Sequence, residues 1–177
     1  MKKTVLIISL LLGVHVAAAQ SSFQASLVPD VAIVPRGENV RGVALNIWGE
    51  NQVNGLSLGF VNGLVGESSG LSLSFLGTYA EDYTGVIWGN FVAYSSGDVV
   101  GWQAGLVNVN TGSFVGLQSG FINVGNQTKG LQLGFVNYTE NLQGVQLGLI
   151  NVALNNPWFS DFPQKLATGF PFVNWSF

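Results

Sequence analysis

GLQLGFVNYTENLQGVQLGLIN, residues 130–151, states one phrase twice at an offset of fourteen residues. The first copy runs from Gly130 to Asn137 and the second from Gly144 to Asn151. Within the first copy the period is two. Leu131, Leu133 and Phe135 fall on one face; Gly130, Gln132, Gly134 and Val136 fall on the other. Strict alternation of this kind is the signature of a β-strand with two chemically different faces. Glycines four apart also resemble the packing motif of membrane helices. Two glycines per phrase together with Val, Ile and Phe disfavour a helix, and after residue 19 no segment gives eighteen apolar residues in a row.

The phrase recurs along the chain, starting at Gly42, Gly55, Gly70, Gly85, Gly101, Gly116, Gly130 and Gly144, in steps of 13 to 16 residues. The copies at Gly42 and Gly85 depart from the pattern, which leaves their pairing open. Between phrases lie Gly, Asn, Ser, Asp and Thr clusters, the usual turn formers. Glu50, Glu67, Glu81, Asp82, Asp98, Lys129 and Glu140 all sit in these connections. Two further strands are expected, at residues 23–27 and in the C-terminal GFPFVNWSF, making ten in all.

Composition sharpens the picture. Residues 1–19 read as a secretory signal peptide: Lys2-Lys3, an apolar run, then Ala17-Ala18-Ala19. The apolar run is shorter than the ~20 residues a membrane span needs. Residues 20–177 then form one repeat-built β domain. It keeps four basic residues against nine acids, a net charge of −5, which argues against nucleic-acid binding. Charged residues are 8% of the chain, where a soluble domain has about 25%.

Two architectures bury such a repeat without open strand edges. The expected one is a small antiparallel closed β-barrel of outer-membrane type, about ten strands, with the Leu/Phe/Trp face towards lipid and the Gly/Gln face inside. Strand length, scarcity of charge and a C-terminal strand carrying Val173, Trp175 and Phe177 favour it. The alternative is a parallel β-solenoid with Leu and Phe inside and Gln and Asn stacked in ladders. GLQLG is palindromic, so antiparallel and parallel stacking both set like against like. In either case Gln103, Gln118, Gln132 and Gln146 form a row, as do Asn108, Asn123, Asn137 and Asn151.

The phrases GLQLGFVN and GVQLGLIN, with the ending FPFVNWSF, resemble a bacterial family of secreted surface-repeat proteins built from GLQLGLVN-type phrases. The C-terminus is similar to the terminal strand that outer-membrane barrels present to their assembly machinery. The resemblance implies a bacterial envelope location, reached by Sec-type export, with outer-membrane lipid and the barrel-assembly machinery as partners. It implies no established activity.

Little in the sequence points to catalysis. Beyond residue 19 there is no His or Cys, which removes Ser-His-Asp and Cys-His arrangements and zinc sites of His/Cys type. Glu81-Asp82 is the one adjacent acid pair, without calcium-loop spacing around it, and reads as a solvated turn. No cofactor is expected. Asn126, Asn137 and Asn174 begin glycosylation-type triplets of the kind an Asn-rich repeat produces by chance. Trp158 and Trp175 suit a membrane interface, and Trp88 and Trp102 suit lipid or core packing. The expected function is structural, or a narrow uncharged passage lined by the Gln row. For the solenoid it is binding a partner, or assembly through Asn and Gln.

Overall fold

In the computed structural model, which describes residues 21–177, each phrase opens one coil instead of forming one strand. The signal peptide expected at residues 1–19 lies outside the described residues. The elements are β1 (Ser21–Val28), β2 (Val31–Ala32), β3 (Asn39–Gly89), β4 (Val92–Ser95), β5 (Val99–Ala104), β6 (Val107–Ser119), β7 (Ile122–Leu133), β8 (Val136–Ala153) and β9 (Gly169–Ser176). The second glycine of a phrase marks a sharp bend. Gly105-Leu106, Gly120-Phe121 and Gly134-Phe135 each interrupt the strands at this point. Past the bend the chain runs back as a second short strand segment, such as Val136–Thr139, before turning into the next phrase.

Neighbouring coils are parallel and in register. Gly101 lies beside Gly116, Gly116 beside Gly130, and Gly130 beside Gly144; the glutamines align in the same way. The return segments stack likewise, Asn108 on Asn123 on Asn137. The fold is therefore an all-β, two-sided parallel solenoid, and the barrel expectation is corrected. Among the described residues antiparallel pairing is confined to the two ends, between β1 and β2, between β8 and β9, and at the Lys165–Ser176 bridge. The strand order runs from β2 to β9 without closing on itself. The physical reason is phrase length. Thirteen to sixteen residues suffice for the return path that parallel neighbours require. The departing copy at Gly85 pairs regularly, with Gly85 beside Gly101.

The sidedness also differs from the solenoid alternative. Gln103, Gln118, Gln132 and Gln146 are fully buried, as are Asn108, Asn123 and Asn137. Leu106, Phe121, Phe135 and Leu149 are exposed. The phrase amides point in and the phrase Leu and Phe point out, while Val99, Phe114 and Leu142 are buried nearer the turns. Towards the N-terminal end the interior is more apolar, with Val40, Ala44, Val53, Leu64 and Ile87 in contact as one cluster.

A column of glycines makes the stacking possible. The phrase-initial glycines from Gly42 to Gly144 all have φ between +115° and +153°, a backbone region L side chains rarely adopt. A Cβ on any of Gly55 to Gly144 would also collide with the carbonyl oxygen of the phrase glycine one coil earlier. The second glycine differs in its backbone: a Cβ on Gly134 would also meet a carbonyl one coil earlier, that of Gly120, and the Asn123 amide, but Gly134 has no positive φ. The palindrome of GLQLG is thus broken in the fold.

The two ends of the stack are closed. β2 covers β1 in part, and β9 crosses the last coil antiparallel, Gln146 opposite Asn174 and Val145 opposite Trp175. Terminal caps of this kind blunt the exposed edges of a repeat stack. Val173, Trp175 and Phe177 belong to this cap and its end; Phe177 itself is exposed, and its N–H donates to the Gln164 carbonyl.

Substituting Gly130→Ala combines the forbidden φ with the carbonyl collision, and a loss of roughly 4 kcal/mol or more in urea unfolding is expected. Gly37→Ala supplies the control. Its φ is +79° but nothing lies near the new Cβ, so only the conformational cost of about 1–2 kcal/mol applies. Equal losses at both sites would contradict close coil-to-coil contact.

Candidate functional site

Two amide ladders run through the interior. Gln118 Nε2 donates to Gln103 Oε1 at 2.9 Å, Gln132 Nε2 to Gln118 Oε1 at 2.7 Å, and Gln146 Nε2 to Gln132 Oε1 at 2.8 Å. On the facing sheet Asn108, Asn123 and Asn137 each donate through Nδ2 to the next asparagine's Oδ1 at 2.8 Å. The ladders point in opposite directions along the stack. Carbonyls, which only accept, set both orientations: Gln103 Nε2 donates to the Ala93 carbonyl, and Asn123 Nδ2 to the Leu133 carbonyl. Opposed side-chain dipoles leave the interior without a net ladder dipole.

Each ladder ends in an unpartnered acceptor. Asn108 Oδ1 has no donor because Ala93 occupies the position one coil earlier. Gln146 Oε1 has none because Asn174, its neighbour on β9, donates instead to the Ala167 carbonyl. The Gln row expected from the sequence is therefore the packed centre of the solenoid, with amide bonded to amide along its length.

Glu67, Glu81, Asp82, Asp98 and Glu140 lie along one edge, where coils turn from the return segment into the next phrase. Asp82 Oδ1 accepts the Asp98 N–H at 2.7 Å and Asp98 Oδ1 accepts the Ser113 N–H at 3.0 Å, each capping the next coil's turn. Glu81 accepts the Gly66 N–H. The Glu81-Asp82 pair is thus occupied with backbone. Among the described residues no group of three or more His, Cys, Asp or Glu could hold a metal ion. Asn137 and Asn174 are fully buried, so two of the three glycosylation-type triplets are inaccessible on the folded chain.

Near the N-terminal end Arg36 pairs with Glu50 at 2.6 Å, Tyr79 donates to Glu50 at 2.8 Å, and Trp48 Nε1 donates to Tyr79 at 3.0 Å. Burial is the main cause that pushes the Tyr79 phenol up to about 12. The Trp48 hydrogen bond lowers it and the Glu50 bond raises it. This cluster fastens the loop after β2 to the stack and contains no free nucleophile.

The surface is where the chain is unusual. Phe91, Leu106, Phe121, Phe135 and Leu149 form a ridge along the edge opposite the acids, Phe121 and Phe135 stacked with centroids 4.8 Å apart. Phe60 and Phe75 meet edge-on at 5.6 Å. The two broad faces are apolar too. One carries Trp88 against Trp102, with Leu117, Leu131 and Val145; the other carries Val107, Ile122, Val136 and Ile150. Trp158 is exposed in the loop before β9, whereas Trp175 is half-buried and donates to the Pro163 carbonyl. An apolar surface this continuous is far beyond the scattered exposed residues of an ordinary domain. Alternation in the sequence contained the signal for it, but only together with the knowledge that the Gln face turns inward.

Compared with protein-family models, curated proteins and solved structures, the chain matches none of them.

Gln132→Leu removes a middle rung and leaves Gln118 Oε1 buried without a donor, a loss of about 2–4 kcal/mol. Gln146→Leu strands Gln132 Oε1 but also deletes an acceptor that was already unpartnered. Its loss is expected to be smaller by about 1–2 kcal/mol in the same unfolding experiment. The reverse order would show that the ladder is not bonded as described.

Proposed function

We propose that the chain is an exported, non-catalytic structural repeat protein of the bacterial cell envelope, and that it attaches there through its apolar outer surface. The observation that carries this reading is the polarity of its solenoid: two amide ladders run through the interior while Leu, Phe, Val and Ile side chains cover the broad faces and one edge. The Gln and Asn ladders are spent on each other inside the stack, so the contacts its broad faces offer a partner are apolar. The signal-like start and the GLQLGLVN-type phrases of surface-repeat proteins support the envelope location. An uncharged passage has no place in the reading, because the Gln row that would line it is bonded rung to rung. Val173, Trp175 and Phe177 serve as the stack's C-terminal cap, and recognition by barrel-assembly machinery is not part of the proposal.

Fractionation of a tagged chain expressed with its native leader tests this. The protein is expected in the envelope pellet, retained through a 1 M salt wash (roughly a 3 Å screening length) and released by detergent. Recovery as a monodisperse protein from culture fluid or periplasmic extract without detergent would overturn it.

A further inference from the structure

We propose that the solenoid rests in one leaflet of a lipid bilayer, its aromatic edge among the acyl chains and its acid-bearing edge in the headgroup layer. The inference rests on the envelope reading above and names the partner.

The first argument is charge. The acids Glu67, Glu81, Asp82, Asp98 and Glu140, with Lys129 beside them, lie at one edge. The opposite edge carries the row Phe75, Phe91, Leu106, Phe121, Phe135 and Leu149, with Asp30 in the β1–β2 turn as an exposed acid on that side, at the N-terminal end. The second is dimension. From Leu131 to Phe135 the apolar part of a coil is four residue steps, roughly 13 Å at strand rise. One leaflet's share of the hydrocarbon is about 15 Å.

The third is backbone satisfaction, the condition hydrocarbon imposes on any inserted segment. At the apolar edge the N–H groups are paired from coil to coil: Phe121 to the Leu106 carbonyl and Phe135 to the Phe121 carbonyl, both at 2.9 Å. The Ser119, Leu133 and Leu147 carbonyls beside the edge accept from the Asn ladder. The two indoles of the broad face are bonded as well: Trp88 to Asn90 and Trp102 to Ser119. Tyr94 and Tyr138 stand in the outward column nearer the acid edge, where an amphipathic ring fits a headgroup layer.

The fourth is the number of sides. A second copy would cover one broad face and leave the other in water, whereas a leaflet surrounds both faces and the edge. An apolar groove of about 750 Å³ between the β1–β2 hairpin and Phe60 continues this surface, and no charged side chain lines it. At the far end Phe172, beside Gly148 on β9, points its ring outward at 70% exposure with φ of +67°, which extends the aromatic edge across the cap.

The chain has no cysteine, so single labels are clean. Phe121→Cys at the aromatic edge and Gln127→Cys at the acid edge each carry an environment-sensitive fluorophore. They are mixed with vesicles of phosphatidylcholine alone or with phosphatidylglycerol, with and without bromine on the acyl chains. The expected result is a blue shift and bromine quenching at position 121, neither at 127, alike in both lipids and at high salt. Leu106→Cys should repeat the result at 121, and circular dichroism should show the fold retained. Phe121→Ser with Phe135→Ser should lower vesicle partitioning roughly tenfold or more. No shift at 121 excludes lipid as the occupant. Quenching at both positions means a chain that spans. A shift at 121 without vesicles that grows with protein concentration means a second copy. Each of these overturns the inference, and an unchanged detergent-released envelope fraction would leave the broader reading standing.

Discussion

Everything in this fold depends on how closely successive coils approach at the first glycine of each phrase. The carbonyl oxygen of one such glycine occupies the space a Cβ would need on the next, from Gly42 and Gly55 through to Gly144. Only a hydrogen fits, and only a residue free to adopt positive φ can sit there. That contact holds the coils in one register, so Gln falls on Gln and Asn on Asn without slippage. Register in a strand of period two decides which side chains face inward. The glycine column therefore sets not only the stacking but the inversion of polarity across the wall.

Given that register, amides inside are the consistent solution. A two-sided coil of about fifteen residues leaves an interior a few side chains wide. Gln and Asn each carry a donor pair and an acceptor, and a repeat at strand spacing lets every rung bond its neighbours. The cost of burying them is met inside the stack, save at the two ladder ends, Asn108 Oδ1 and Gln146 Oε1, and at Asn110 Oδ1 and Asn156 Oδ1. The apolar side chains of the alternating pattern then have one place to go. In water this exterior is a liability; against hydrocarbon it is the surface a protein should have.

Much of this was legible in the phrase itself. The period of two, the Gln and Asn rows and the clustering of acids in the connections all follow from spacing. The inward placement of Gln132 with Gly130 and Gly134 belonged to the barrel expectation and not to the solenoid alternative, so spacing alone did not decide it. Two things were not legible. GLQLG reads the same in both directions, so it cannot separate parallel from antiparallel neighbours; the difference between Gly130 and Gly134 exists only in the backbone, as positive φ at one and a tight bend at the other. The second is the return segment. VNYT after Gly134-Phe135 reads as the tail of one strand leading into a turn, whereas Val136–Thr139 pairs with Ile122–Gly125 as a strand of the facing sheet. Scarce charge favoured an apolar exterior, but both a barrel and an inverted solenoid have one.

The central claim is parallel stacking without closure, and distances along one outward row test it most directly. Spin labels at Thr84 and Gln143 are four coils apart, and labels at Arg41 and Gln143 are seven apart. At strand spacing these pairs should lie roughly 19 Å and 34 Å from each other. Pulsed electron–electron resonance should therefore show a distance that keeps growing with coil number. A distance that falls again for Arg41–Gln143, bringing the first and last phrases side by side, would mean a closed barrel and would contradict the solenoid.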